Sequence, residues 1–402
     1  MKVHRLIGLL TFATFPTIAG GIEIELRYDY DTSGFFNQPG AKETMRACAD
    51  FFEDILVDQL EEINAASSGD NRNTWTARPR HPATGNSLEI VNLVVPEDTL
   101  IIYLGARDLP GSTAGFATSG LSVSGLTDFF NQVLYRGQTG ASDTPATDFG
   151  PWGGSISFDT RKFDGSDHIW NFSLTETDTT KTDFVGVALH EICHLLGVGT
   201  ADSWKDRAGD DLLFQGATSI TANGGTAPAL DSNKGHWSNS GSGPYQSTTF
   251  NSFGAPHGES QRVLMNAISL NNGGNHNVLT DLDLAALIDI GWEIKLPASG
   301  TVSVANGEVN FKVPTNTGFT YRILQGNLNS QFTNLGEAIS GDGSAQTVVV
   351  PLVASGKDFF RFGVSTNSTS ARAARNRIVI PSSEILSHEW SWQSKNCCAH
   401  SH

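Results

Sequence analysis

The segment VALHEICHLLGVG places His190 and His194 four residues apart, with Glu191 directly after the first histidine. On a helix the two histidines stand about one turn apart on one face, so both imidazoles can reach a single ion. Glu191 lies on the neighbouring edge, where it can hold a metal-bound water and act as a general base. The segment is otherwise strongly apolar, and burying these three polar side chains without a metal would be costly. The pattern therefore predicts a zinc site in which Glu191 is catalytic.

A hydrolytic zinc site needs a third protein ligand and one open position for water. Gly197 allows the chain to turn sharply after the helix, but Thr200 stands where a compact site would have its third histidine. Asp202 is the nearest alternative. Two histidines of the following irregular segment, His236 in SNKGHWSNS and His257 in GAPHGES, can reach the ion if that segment folds back. These three candidates remain open from spacing alone.

The order of motifs resembles that of the leishmanolysin-like metzincins, especially their secreted bacterial relatives. The resemblance covers roughly residues 22–294 and is carried by HEICHLLGVG, a long insertion, GHW, SQRVLMN and LTDLDLAALIDIGW. It implies that His190, His194 and His236 bind zinc, that Glu191 is the base and that Met265 lies in a tight turn beneath the metal. His257 lies closer to Met265 in the sequence and remains the competitor for the third position.

The same resemblance gives a role to the segment GGSISFDT. In metzincins an edge strand above the cleft pairs with the backbone of the substrate, which supplies affinity without demanding a particular sequence. The resemblance therefore implies that Ser155, Ile156, Ser157 and Phe158 bind substrate.

Hydrophobic periodicity indicates the elements that must hold these residues. Strands are expected at 21–30, 88–96, 99–107 and 153–160, a long amphipathic helix at 41–63, a buried helix from Thr182 or Asp183 to Gly197, and loop at 111–125. Residues 198–279 show little periodicity. Thr280 and Asp283 then form a capping-box-like start to a last helix that ends at Gly291. The expected class is α+β, and the resemblance implies a metzincin-like zincin domain with a mixed twisted sheet, an active-site helix and a C-terminal helix.

Composition shifts along the chain predict four parts. Residues 1–20 have the basic start, short apolar run and small residues of a secretory signal peptide. The catalytic domain is expected at 21–296, a small all-β sandwich at 297–382 because short strands alternate with turns there, and a flexible tail at 383–402. The protein is therefore expected to be secreted, either extracellular or in the cell envelope.

The formal net charge of −16 argues against nucleic acid or an anionic membrane as a partner and is compatible with bound cations. Asp206, Asp210 and Asp211 are candidate ligands of a structural calcium ion in the irregular segment. No later apolar stretch is long enough to span a membrane. A monomer acting on protein or peptide substrates is the simplest expectation.

Two functions follow from these features. The first is a secreted zinc endopeptidase that hydrolyses peptide bonds with zinc-activated water and Glu191 as base. The alternative is a catalytically degenerate binding protein on a metzincin scaffold, favoured by the missing histidine at Thr200. The intact Glu191 argues for the enzyme, because a scaffold that only binds has no need of the base.

Overall fold

The computed structural model of the protein describes most of the chain from residue 21 onwards. The described residues are 21–67, 72–175, 178–239, 246–249, 260–267, 276–294, 301–305, 308–315, 319–326, 333–341, 344–351, 359–366, 385–386 and 392–393. The predicted signal peptide and His257 lie outside them.

The described residues form an α+β protein with more strands than helices. The helices α1 to α6 run over Ala41–Ile55, Thr127–Tyr135, Phe184–Leu195, Asp202–Lys205, Ala217–Ala222 and Asp281–Asp289, with a 3-10 turn at Phe35–Asn37. The strands β1 to β19 run over Glu23–Arg27, Thr74–Ala77, Ile90–Val91, Thr99–Arg107, Gly115–Thr118, Gly120–Leu126, Gly153–Asp159, Trp170–Asn171, Thr182–Asp183, Gln246–Thr248, Ser260–Arg262, Thr301–Ala305, Glu308–Pro314, Phe319–Gly326, Thr333–Ser340, Ala345–Pro351, Phe359–Thr366, Ile385–Leu386 and Trp392–Gln393. The predicted α+β class is confirmed.

The main sheet has four strands in the order β1, β4, β7, β5. Strands β1, β4 and β7 are parallel, and β5 runs antiparallel to β7. Ser155, Ile156, Ser157 and Phe158 all belong to β7, which is paired on both sides. The prediction that they form an edge strand was wrong, because β5 lies outside them and takes up the hydrogen-bonding groups that a substrate strand would need.

Helix α3 is buried along its whole length, and α1 packs beside it. An aromatic cluster fixes α3 against the sheet: the rings of Phe158 on β7 and Phe184 at the start of α3 have centroids 4.6 Å apart. Phe172 contacts Phe184 from the other side at 4.8 Å. Each buried ring contributes roughly 1.5–3 kcal/mol to stability by leaving water. The position of α3, and of the residues it carries, is therefore set by the core.

The segment 111–125 was predicted to be loop, and that prediction was wrong. It contains β5 and most of β6, which pairs with β2 in a second sheet. Two of the glycines that suggested a loop, Gly115 and Gly125, are instead sites of close approach. A Cβ at Gly125, for example, would lie 3.0 Å from the Cα of Asn73. Small residues here permit close packing rather than irregular backbone.

Helix α1 ends at Ile55, although its apolar periodicity predicted a helix as far as residue 63. Leu56 already has an extended backbone, and the Val57 N–H donates to the carbonyl oxygen of Glu293 at 3.0 Å. Further on, Ile63 pairs with Val95 in an isolated bridge. Tertiary hydrogen bonds thus replace the helical ones. Similarly, the strand predicted at 88–96 is reduced to Ile90–Val91.

The described residues beyond residue 300 form two antiparallel three-stranded sheets, β12-β13-β16 and β15-β14-β17. Within the segment 383–402, predicted to be a flexible tail, the described residues are the dipeptides β18 and β19, which pair with β6. Within the described residues, no helix has the length and apolar character needed to cross a membrane.

Candidate metal centre

Helix α3 presents His190 and His194 from a fully buried position, and the backbone orients both rings. The Nδ1–H of His190 donates to the carbonyl oxygen of Leu264 at 2.9 Å, and that of His194 donates to the carbonyl oxygen of Val198 at 2.8 Å. Gly197, with φ of 104°, makes the turn that brings Val198 back beneath the helix. A carbonyl oxygen can only accept a hydrogen bond, so each Nδ1 carries the proton. Each Nε2 is then unprotonated, and its lone pair is available to a metal.

His236 joins them from the irregular segment, where a tight turn and three aromatic rings hold it. Asp231 closes the turn by accepting from the Gly235 N–H at 2.9 Å, and its other oxygen faces the His236 Nδ1 at 3.3 Å. The neighbouring Trp237 packs against Trp204 and Phe214, with centroids 5.3 and 5.5 Å apart. The carboxylate of Asp231 thus fixes the tautomer of His236 in the same sense as the carbonyls fix the other two.

The three histidines form a compact, buried group of nitrogen ligands. The Nε2 of His236 lies 3.2 Å from the Nε2 of His190 and 3.2 Å from that of His194. Two ligands of a tetrahedral ion at 2.0–2.1 Å stand about 3.3 Å apart, so this spacing fits a metal. Three converging lone pairs repel one another unless a cation lies between them. The group could hold a metal ion, and it is the one such group of His, Cys, Asp or Glu among the described residues.

The imidazole of His194 is in the state that metal binding requires. Burial, assisted by the nearby His236, lowers the pKa of His194 to about 3, so the ring is neutral at physiological pH. The three side chains are between 0 and 3 % exposed. A neutral, buried imidazole suits a divalent transition metal.

Glu191 lies beside the histidines and is also fully buried. Within the described residues neither of its carboxylate oxygens has a hydrogen-bond partner. Burial raises the pKa of the Glu191 carboxyl to about 8; the Ala117 N–H offsets part of this rise, although it lies outside normal hydrogen-bond geometry. A buried carboxylate without a partner is costly and is rarely kept for packing alone. Glu191 is therefore a functional candidate on structural grounds as well.

Gly115 on β5 makes room for this carboxylate. A Cβ at residue 115 would lie 2.6 Å from Glu191 Oε1 and 2.7 Å from Val187 Cγ1, so no side chain fits there without displacing α3 or the base. The free edge of the sheet thus passes directly against Glu191. This close approach was not predicted from the sequence, because the glycine was assigned to a loop.

Asp283 connects the parts of the site that come from distant segments. Its buried carboxylate accepts from the backbone N–H groups of Leu264 at 2.8 Å and Met265 at 3.1 Å, and from Trp237 Nε1 at 3.1 Å. It also accepts from the N–H and hydroxyl of Thr280, completing the predicted capping box of α6. Met265 is fully buried in the turn that Asp283 holds, and the preceding Leu264 supplies the acceptor for His190.

Replacing Asp283 with alanine is expected to lower the free energy of unfolding by at least about 3 kcal/mol, since several buried donors lose their acceptor. Metal affinity should fall as well, because the Leu264 carbonyl is no longer held against His190. Denaturant unfolding and metal titration measure the two effects. Asp54→Ala, at an exposed helical aspartate, is the control and should change stability by less than about 0.5 kcal/mol. Equal stability of the two variants would contradict the role of Asp283.

Among the described residues, Asp202 and the three proposed calcium ligands lie outside this group of histidines. Asp202 begins α4 and pairs with Lys205 at 3.0 Å, so it is not the third ligand. The proposed calcium ligands do not form a cluster: Asp206 accepts from the Ala146 N–H, Asp210 pairs with Lys234, and Asp211 accepts from the Leu213 N–H. His257 lies outside the described residues.

Sequence reasoning missed the groups that orient the ligands. Asp231 could have been found, because an aspartate shortly before a glycine commonly closes a turn through its side chain. The carbonyls of Val198 and Leu264 have no sequence signal, since every residue carries one.

Comparison of the chain with protein-family models, with curated proteins and with solved structures found no match. The function must therefore be inferred from the chemistry of the site.

Proposed function

We propose that this protein is a zinc-dependent endopeptidase of the metzincin type. The observation that carries the proposal is the buried set of three histidine Nε2 atoms beside Glu191, whose carboxylate has no hydrogen-bond partner among the described residues. Imidazole ligands suit zinc, and a site with three protein ligands leaves a position for water. The resemblance of the motifs to leishmanolysin-like metzincins supports the same conclusion, with Met265 in the turn next to His190.

Zinc bound to the three histidines would lower the pKa of a water ligand towards neutrality and polarise the peptide carbonyl. Glu191 accepts the proton of the attacking water and then delivers it to the amine that leaves. The polypeptide supplies the base, the orientation of the ligands and the exclusion of bulk water.

The substrate is proposed to bind along β5 instead of β7. Strand β5 is the outermost strand of the four-stranded sheet and passes directly against Glu191 at Gly115. An extended peptide can pair with such an edge through its main chain. The substrate still pairs with an edge strand through its main chain, as the resemblance implies. The proposed strand is now Gly115–Thr118 instead of Ser155–Phe158.

Further proposals concern the rest of the chain. Residues 1–20 act as a signal peptide, which makes the enzyme secreted, extracellular or in the cell envelope. Residues 297–382 form a β-sandwich accessory domain, and the enzyme acts as a monomer on protein or peptide substrates.

Metal analysis together with a protease assay tests the proposed activity. The purified protein is expected to contain one zinc ion per chain and to cleave casein or gelatin, and a chelator should abolish cleavage until zinc is restored. Bound zinc without any cleavage would favour the alternative, a binding protein on a degenerate protease scaffold. Cleavage that survives complete removal of metal would refute the zinc mechanism.

A further inference from the structure

Two arginines lie on the side of the main sheet away from α3, close to the substrate edge. Arg107 ends β4, and Arg80 belongs to the segment between β2 and β3 that contacts β5 and β7. The Arg80 N–H donates to Thr118 Oγ1 on β5 at 2.9 Å, and its carbonyl oxygen accepts from Ser155 Oγ on β7 at 2.6 Å. The backbone around Arg80 is therefore tied to both strands.

The two guanidinium groups converge on the turn at Gly85. Arg80 Nη1 donates to the Gly85 carbonyl oxygen at 3.2 Å, and a Cβ at Gly85 would lie 3.1 Å from Arg107 Cζ. Arg107 also lies over the ring of Phe116 on β5, with Cζ 5.7 Å from the ring centroid. Two like charges are thus held together next to an aromatic residue of the edge strand.

These charges have no carboxylate within ion-pair distance in the described part of the chain, and the charges of Asp159 and Asp108 act on Arg107 only from further away. Neither arginine forms an ion pair within 4.0 Å, and the buried Nε of Arg107 has no acceptor. Asp159, the residue opposite Arg107 on β7, is engaged with the Leu109 N–H and His168 Nδ1 instead. Burial, followed by the charge of Arg80, lowers the pKa of Arg107. A carboxylate next to Arg107 would offset both the burial of its charge and the repulsion by Arg80.

A peptide paired with β5 would place a side chain beside these arginines. The Asp159 N–H donates to the Ala114 carbonyl oxygen. Because backbone hydrogen bonds alternate along an antiparallel pair, every second residue of β5 directs its N–H and C=O groups towards β7. Gly115 and Ala117 are the residues between these, and they direct their backbone groups to the open edge. Gly115 faces α3 and Glu191, so Phe116 faces the opposite side. The substrate residue opposite Phe116 would have its Cβ about 5 Å from that of Phe116, on the side where Arg107 lies.

We propose that Arg80 and Arg107 form a subsite for an aspartate or glutamate side chain of the peptide substrate, next to the scissile bond. This inference rests on the proposed endopeptidase function and on binding along β5. With a net charge of −16 the protein as a whole repels acidic peptides, so a local pair of arginines determines which acidic residue is accepted and in which register. Arg107 is the specificity-determining residue because it contacts Phe116 directly.

A set of fluorogenic peptides tests the subsite, each carrying a single glutamate that is moved along the positions around the cleaved bond, with a glutamine peptide matched to each. At one position the glutamate peptide is expected to have about 10-fold higher kcat/KM than its glutamine match. Arg107→Met should bring this ratio to about 1 while the glutamine peptide is still cleaved. Arg107→Glu should favour lysine at the same position. Arg78→Met, at an exposed arginine paired with Glu89, is the matched control and should keep the wild-type ratio.

Binding of the same peptides to Glu191→Gln, measured by fluorescence anisotropy with and without Arg107→Met, separates the subsite from the activity. Cleavage with no preference for glutamate, or a preference that Arg107→Met leaves intact, overturns the subsite and leaves the proposed function standing. Tighter binding of one glutamate peptide that depends on Arg107, without any hydrolysis by the wild-type protein, supports the subsite and refutes the enzyme. No Arg107-dependent difference in either measurement overturns the subsite.

Discussion

Glu191→Gln is expected to lower kcat for peptide hydrolysis by about 10²- to 10⁴-fold while zinc remains bound. Glutamine has nearly the shape of glutamate but cannot accept the proton of the attacking water. The change should leave the zinc ligands in place, because His190 and His194 are oriented by the carbonyls of Leu264 and Val198 and not by Glu191. Zinc content by elemental analysis and steady-state kinetics on one peptide measure the two quantities.

The absence of hydrogen bonds to Glu191 makes this test unusually direct. Since neither oxygen has a partner in the described structure, the substitution breaks no structural contact, and thermal unfolding should show no loss of stability. Glu43→Gln, at an exposed position in the first turn of α1, is the control and should keep full activity. Retained hydrolysis in Glu191→Gln would exclude Glu191 as the base. Loss of zinc together with activity would assign it a structural role instead.

The elements that the sequence predicted well are those whose signals are local. Helix α3 has a long apolar run that ends at Gly197, and α6 has a capping box at Thr280 and Asp283 that the structure contains. The strands of the main sheet β1, β4 and β7 have regular or continuously apolar patterns. Such signals depend on neighbouring residues, so they are readable from the sequence; where tertiary hydrogen bonds compete, as after Ile55 at the end of α1, the local pattern extends further than the element does.

The elements that the sequence missed are stabilised by contacts between distant residues. Strand β5 is poor in β-branched residues, and Gly115 is glycine because Glu191 and Val187 lie against it, a fact visible only once α3 is in place. The order of strands was missed for the same reason: β7 looks like an edge strand until β5 is recognised. Because the edge determines where a peptide can pair, this one error moved the predicted substrate site by a whole strand.

The third zinc ligand could not be assigned from spacing for the same reason. Spacing left Asp202, His236 and His257 as alternatives because the segment that carries the histidines has no periodicity. What places His236 is the packing of Trp237 on Trp204 and Phe214, together with the Trp237 N–H donated to the carbonyl oxygen of Met265 at 2.9 Å. These contacts join residues far apart in the chain. Only the resemblance to a family with an insertion at this point favoured His236 in advance.

His236→Ala is expected to reduce the affinity for zinc by at least about 100-fold and to abolish hydrolysis at ordinary zinc concentrations. The variant leaves two neutral imidazoles on α3, which hold zinc much less tightly than three converging nitrogens. Asp231→Asn should have a smaller effect in the same direction, about 10-fold, because the ring of His236 stays in place and loses only its charged acceptor.

His257→Ala is the matched control, a histidine from the same irregular segment of the chain, and it should retain both zinc and activity. Competition with a chromophoric chelator measures the zinc affinity of all three variants under the same conditions. If His236→Ala kept full affinity while His257→Ala lost it, the third ligand would be His257. If both kept it, zinc would not be bound by the group that the structure brings together. The expected order, with His236→Ala weakest, Asp231→Asn intermediate and His257→Ala unchanged, follows from the contacts of His236 alone, because only that ring has its Nε2 within 3.2 Å of both α3 histidines in the described structure.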